Sequence, residues 1–264
     1  MEILIRRTPD DVAQTAADII AANLRPGAVL GLATGSTPLK TYQELIRRNQ
    51  TGEISFKGTK AFCLDEYIGV PPEHEQSYHY VIRNEFTNHI DINDSDVHSP
   101  NGMSEKPWIA AQEYEDAIVM SGGISCQLLG IGTNGHIGFN EPATSLRSLT
   151  RVEVLHAQTV KDNARFFDTI DEVPKYAITQ GLGTILRSSH ALLIATGQGK
   201  ARAVASLVEG PVSASCPASV LQMHNNATIV VDEDAAMMLQ DKQYYRRVEE
   251  MRPAWRGIDG KPKH

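Results

Sequence analysis

The sequence predicts one α/β domain with a mostly parallel sheet covered by helices on both faces. Short, almost wholly apolar runs such as Ala28 to Ala33 and His190 to Thr196 alternate with longer amphipathic stretches. That is the pattern of strands buried on both sides and helices buried on one. Neither an internal repeat nor a low-complexity linker divides the 264 residues. Residues with chemical character gather where the apolar runs end, and in open α/β sheets ligands sit at the carboxyl ends of the strands.

The elements follow in order. Ile3 to Ile5, between Glu2 and the Arg6-Arg7 pair, is too short and too acidic for a secretory leader and reads as an edge strand. Thr8-Pro9-Asp10-Asp11 starts a helix with a capping hydroxyl, proline at the first position and acids in the first turn. It runs to about Leu24 and stops at Arg25-Pro26-Gly27. A strand over Ala28 to Ala33 leads to a helix that Thr37-Pro38 starts. Further strands fit Lys60 to Leu64, Ser125 to Ile131, His190 to Thr196 and Ala227 to Val231. Helices fit Ser77 to Asn88, Pro107 to Met120, Lys200 to Val208 and Glu233 to Gln240. The polar segment 157–174 is long enough to act as a lid, and the Pro-, Gly- and Lys-rich tail 252–264 drapes over the surface or frays.

Composition excludes several classes of function. A net charge of −7 gives no global attraction to nucleic acid or to an anionic membrane, so a phosphorylated ligand needs a locally built positive field. No apolar stretch approaches the length of a membrane span. Cys63, Cys126 and Cys216 are odd in number, widely spaced and lack a CxxC pair, which reads as buried free thiols in the reducing cytoplasm.

Four segments carry the chemistry. In Thr34-Gly35-Ser36-Thr37-Pro38 a strand enters a hydroxyl-rich turn and a helix start, which makes either an anion cradle or an ordinary capped turn. Gly197-Gln198-Gly199-Lys200 repeats that setting with a lysine, a compact cation for a phosphate or a solvated surface residue. Neither segment has Walker A spacing. Asp65, directly after Phe62-Cys63-Leu64, is a candidate general base or a buried structural acid. Glu66 beside it faces the other way if both are extended. Gly130-Ile131-Gly132-Thr133-Asn134-Gly135 matches GxGxxG formally, but Gly138 and Pro142 follow within a few residues where a dinucleotide site needs a helix. The segment is therefore a loop, and it offers Asn134, His136 and Glu141: an imidazole that can shuttle protons beside a carboxylate that can orient it. Arg165, in the lid, is placed to close onto a phosphate. No ligand spacing points to a metal.

LATGSTP, CLDEYIGV, GIGTNGHIGFNEP, NARFF and GQGKA, in this order and spacing, resemble the glucosamine-6-phosphate deaminase family over Pro26 to about Tyr245. The resemblance implies a Rossmann-like three-layer αβα fold and an enzyme needing no cofactor. It implies that Asp65 moves a proton from carbon 2 to carbon 1 of the opened sugar. Before that step His136 opens the ring with Glu141 as its carboxylate partner; Ser36, Thr37, Arg165 and Lys200 surround the phosphate, with Thr34 and Gly35 beside them in the substrate site. Many members carry aspartate where this chain has Asn134, which is expected to accept a hydrogen bond from the imidazole without adding charge. A hexamer is implied for a chain of this length. Allosteric members bind N-acetylglucosamine 6-phosphate at a subunit interface, and the matching positions are Met1, Thr144, Ser145, Arg151, Glu153 and Tyr244. Glu153 stands where those members place a lysine, so activation is expected to be weak or absent. The rival readings are a 6-phosphogluconolactonase-like hydrolase, which Asp65-Glu66-Tyr67 and Phe139-Asn140-Glu141-Pro142 argue against, and a sugar-phosphate-sensing module, for which no DNA-binding extension or basic face is present.

Overall fold

Apolar strands whose side chains alternate between two helical layers organise the structure. It is a computed structural model describing residues 1–164, 167 and 169–260, without the side chains of 158, 162 and 163. The elements are β1 (Glu2–Arg6), α1 (Pro9–Asn23), β2 (Val29–Leu32), α2 (Ser36–Gln50), β3 (Lys60–Cys63), β4 (Asp65–Tyr67), α3 (Tyr78–Glu85), β5 (Val97–His98) and α4 (Pro107–Met120). They continue with β6 (Cys126–Leu129), β7 (Arg151–Val154), α5 (Ala157–Asn163), β8 (Tyr176–Thr179), α6 (Leu182–Leu186), β9 (Ala191–Ala195), α7 (Ala201–Val208), β10 (Ala227–Asp232) and α8 (Lys242–Glu250).

Seven strands form one parallel sheet in the order β1-β10-β9-β6-β2-β3-β5. β1 is the edge strand that the N-terminal run predicts. Ile3, Ile5, Leu129, Leu193, Ile229 and Val231 face one layer, where α6 and α7 contribute Leu182, Ile185, Val204 and Leu207. Their strand neighbours Leu4, Leu128, Leu192, Ile194 and Val230 face the other, against Val12, Ala16, Ile19 and Ile20 of α1 and Tyr42 and Leu45 of α2. This two-residue period gives the αβα layering. α1 starts as expected: Thr8 Oγ1 accepts the Asp11 amide at 3.1 Å, and Asp11 Oδ2 accepts the Thr8 amide at 3.0 Å. Such a capping box is worth about 1 kcal/mol.

Three features depart from the sequence expectation. A second, antiparallel sheet, β4-β8-β7, pairs Asp65 with Thr179 and Arg151 with Thr179. Its strands have only three or four residues, too few to show a period. The predicted helix over Glu233 to Gln240 is instead a run of turns. Asp232 Oδ1 takes the Ala235 amide at 2.7 Å, and the turns bury Ala235, Ala236 and Leu239. A helix absent from the prediction, α8, follows. It has no fully buried residue, and it is tied to β1 by the Arg6–Glu249 ion pair at 2.7 Å. The tail drapes as far as residue 260: Arg252 pairs with buried Glu2, and Asn226 Nδ2 donates to the Asp259 carbonyl at 2.9 Å. All three cysteines are free and buried. Among the described residues, no helix is long and apolar enough to cross a membrane.

Candidate active site

β9, β6, β2 and β3 are consecutive neighbours in the sheet. The segments beginning at Gly197, Gly130, Ala33 and Leu64 leave their carboxyl ends, so the four predicted segments share one mouth. β2 and β6 both lie at the point where the strand order reverses, the usual ligand crevice of such sheets.

Asp65 occupies the seam between the two sheets. The Leu64 amide still bonds the Leu32 carbonyl of β2 at 2.7 Å, whereas the Leu64 carbonyl accepts the Gln180 amide at 2.9 Å. The chain thus leaves the parallel sheet and enters β4, and Asp65 is 6% exposed at the crossing. Burial, then the neighbouring Glu66 charge, raises its pKa well above the ordinary carboxylate value. Glu66 turns the other way. Its Oε1 accepts the amides of Tyr67 (2.8 Å) and Tyr78 (3.0 Å), and its Oε2 accepts the His79 amide and the Ser77 hydroxyl, each at 2.8 Å. It anchors the first turn of α3, as a carboxylate at a helix start does.

The segment from Gly130 is a loop, as predicted, and it crosses directly over Asp65. Gly138 has φ 55°, and a Cβ there would lie 2.9 Å from Thr179 Oγ1 and 3.3 Å from Asp65 Oδ2. The loop folds back so that the Gly132 amide bonds the His136 carbonyl at 2.9 Å, and the imidazole lies on Gly132, where a Cβ would meet it at 2.1 Å. His136 Nδ1 is 3.5 Å from Glu141 Oε2, with 24% of the imidazole side chain exposed against 9% of the carboxylate. That separation is long for a hydrogen bond; such contacts often tighten only when substrate is bound. Burial alone would raise Glu141. Bonding to His136, its charge, and donors from Thr159 and Asn134 instead hold the carboxyl down to about 2. Asn134 departs from expectation: its Oδ1 accepts the His136 backbone amide at 3.2 Å, and its Nδ2 donates to Glu141 Oε2 at 2.8 Å. It braces the carboxylate rather than the imidazole.

The two segments expected to hold an anion flank this centre. α2 starts at Ser36, one residue before the predicted start, and its N-cap residue Gly35 (φ 122°) has no side chain to offer the first amides. Gly35 and Ser36 are exposed; Thr34 and Thr37 are half-buried. Lys200 ends a 3₁₀ turn, Gln198–Lys200, between β9 and α7. The turn is fixed by the Gly197 amide, which bonds both Asp232 carboxylate oxygens at 3.0 Å. Arg165 lies outside the described residues. Two contributors, Thr159 and Tyr78, were not legible in sequence. Thr159 of α5 donates its hydroxyl to Glu141 Oε1, from within a segment whose composition reads only as polar. The Tyr67 and Tyr78 hydroxyls meet at 3.2 Å beside Phe139.

The six effector positions divide into two groups. Arg151 donates to the Glu153 carboxylate, the Thr144 hydroxyl and, at 2.9 Å, Asn140 Oδ1. Ser145 is exposed beside them. Met1 and Tyr244 instead line a cavity of about 360 Å³ with Glu2, Arg247, Arg252 and Arg256; the lining includes none of the other four. Among the described residues, no group of three or more His, Cys, Asp or Glu could hold a metal.

The family model of glucosamine-6-phosphate isomerases and 6-phosphogluconolactonases matches residues 1–230. A glucosamine-6-phosphate deaminase of Corynebacterium aurimucosum is 60% identical over 245 residues, covering 93% of this chain and 96% of its own. One of Rhodococcus jostii is 53% identical over 261 residues, covering 98% of this chain and 100% of its own. The solved structure of a monomeric glucosamine-6-phosphate deaminase superposes with a TM-score of 0.88 at 44% identity, over 90% of this chain and 100% of that one. A 6-phosphogluconolactonase from Trypanosoma brucei superposes at 0.73 with 18% identity, over 89% and 97%, a likeness of fold alone.

Proposed function

The chain belongs to the family of glucosamine-6-phosphate isomerases and 6-phosphogluconolactonases, and from that premise we propose that it is a glucosamine-6-phosphate deaminase. It converts D-glucosamine 6-phosphate and water to D-fructose 6-phosphate and ammonium. The observation that carries this reading is the seat of Asp65, buried directly beneath the glycine loop that presents His136. A buried carboxylate with a raised pKa suits the transfer of a proton between adjacent carbons.

In this reading His136 delivers a proton to the ring oxygen, and Glu141, held ionised, steadies the imidazole. Asp65 then takes the proton from carbon 2 of the open aldehyde, giving an enolamine, and returns it to carbon 1. The carbon 2 imine adds water and releases ammonium. Carbon 2 is oxidised as carbon 1 is reduced, so the electrons balance within the substrate and no redox cofactor is called for. Thr34, Gly35, Ser36, Thr37, Lys200 and Arg165 receive the phosphate. Regulation by N-acetylglucosamine 6-phosphate is weak or absent, the assembly is a homohexamer, and the compartment is the cytoplasm. The exposed Tyr244, Val248, Met251 and Trp255, on and beyond α8, support an assembling surface.

Ammonium release from glucosamine 6-phosphate tests the reading. Release at enzymatic rates is expected. Hydrolysis of 6-phosphogluconolactone without ammonium release would replace this reading with the lactonase, and binding without turnover would replace it with a sensing module.

A further inference from the structure

We propose that Thr159 is a positioning residue for the His136–Glu141 pair, an inference that rests on the deaminase reading above. The two oxygens of Glu141 are held from different elements. Oε2 faces His136 Nδ1 at 3.5 Å and accepts Asn134 Nδ2 at 2.8 Å, both from the same loop. Oε1 accepts the Thr159 hydroxyl, which comes from α5, 18 residues along the chain. A carboxylate gripped at one oxygen can swing about its terminal bond. Gripped at both, it keeps one plane and one edge toward the imidazole.

Both partners are buried, Glu141 to 7% exposure and Thr159 to 6%. Without Thr159, Oε1 has neither this donor nor ready access to water, a costly state for a charged oxygen. The turn of α5 that carries the hydroxyl is itself held. Val160 packs against the cluster of Tyr67, Phe139 and Leu155, and the Val160 amide bonds the His156 carbonyl at 3.0 Å. Phe139 of that cluster lies two residues before Glu141, so α5 shares an apolar cluster with the catalytic loop as well as the Thr159 hydrogen bond. The sequence hides this link, because a threonine in a polar segment has many unremarkable uses.

Five enzymes decide it: wild type, Thr159→Val, Thr159→Ser, Glu141→Gln and the Thr159→Val/Glu141→Gln double variant. Each is assayed for ammonium release from glucosamine 6-phosphate. Thr159→Val keeps the shape and loses the donor, and kcat is expected to fall roughly tenfold with KM nearly unchanged. Thr159→Ser keeps the donor and should stay within about threefold of wild type. Added to Glu141→Gln, the valine should cost less than about twofold, since its route of action is already gone. In the reverse direction, ammonium with 5-deoxyfructose 6-phosphate, which lacks the hydroxyl that closes the furanose, should be consumed by Thr159→Val at nearly the wild-type rate. Additive losses overturn the proposal, as do equal losses on both substrates or a serine variant worse than the valine. So does a valine variant that no longer melts cooperatively, because a hydroxyl the fold requires is not a positioning group. A wild type that releases no ammonium overturns the deaminase reading itself, whatever the variants do.

Discussion

Asp65 and Glu66 are adjacent carboxylates on one short strand, and the pleat turns them to opposite sides. Glu66 receives four donors and becomes part of the α3 start, whereas Asp65 stays buried under the catalytic loop with its pKa raised. Asp65→Asn is therefore expected to lower turnover roughly a hundredfold or more while leaving substrate binding largely intact. The same change should stabilise the protein. A carboxyl whose folded pKa is raised costs nothing below its unfolded value, costs progressively more as pH rises from there towards the folded value, and costs a constant amount above it. Melting curves at neutral pH should shift upward by about 2–4 °C for each kcal/mol recovered, and the gain should vanish in acid. A downward shift at neutral pH would mean that ionised Asp65 has a stabilising partner. For His136 the discriminating variant is His136→Gln, expected to slow a closed-ring substrate far more than 5-deoxyfructose 6-phosphate with ammonium. Equal losses on both would give His136 a different task.

At the scale of elements, the strand–turn–helix unit that we propose as an anion site occurs twice, after β2 and after β9. An acidic chain has no general field for phosphate, so in the proposed reading the local amides and Lys200 supply it. Replacing Lys200 by alanine should weaken glucosamine 6-phosphate by roughly 2–4 kcal/mol, as truncating a charge-assisted contact does. Unphosphorylated glucosamine should bind nearly as before; equal losses for the two sugars would remove Lys200 from the phosphate site. Arg165→Ala carries the same expectation. Both anion elements were legible in sequence because a strand end, small residues and a helix start lie within a few residues of one another. The second sheet was not, since β4 finds β8 more than 100 residues along the chain, β7 and β8 pair across the polar segment 157–174, and each strand is too short to declare itself.

For the whole molecule, the open question is control from a second site. Arg151 is already engaged by Glu153, Thr144 and Asn140, so the group presents a neutral ion pair where allosteric relatives are expected to offer two cations. At 4 Å and an effective dielectric near 20, exchanging attraction for repulsion at one position is worth about 4 kcal/mol or more before relaxation. Allosteric coupling is typically only about 1–3 kcal/mol. Initial rates at sub-saturating substrate should therefore change little with millimolar N-acetylglucosamine 6-phosphate, and a several-fold activation would overturn this. Light scattering on the eluted protein decides between the hexamer and a monomer such as the solved relative, which matches 90% of this chain.

The sequence by itself determined the layers, the order of most elements and the four segments at the mouth. Each of these depends on signals within one window of chain: an apolar run, a capping hydroxyl, a glycine or proline that ends a strand. It also singled out Asp65, His136 and Glu141 as the candidate reactive set. Only the tertiary structure decided that β3 gives way to β4 at Leu64, that Gly138 lets the loop cross Asp65, that Asn134 braces Glu141 and that Thr159 reaches it from α5. It also turned the predicted helix at Glu233 into turns and built α8 against β1. The physical reason is common to all of them. Contacts between distant segments depend on which surfaces meet, and a hydroxyl, an amide or a glycine shows its role only once its partner is in place.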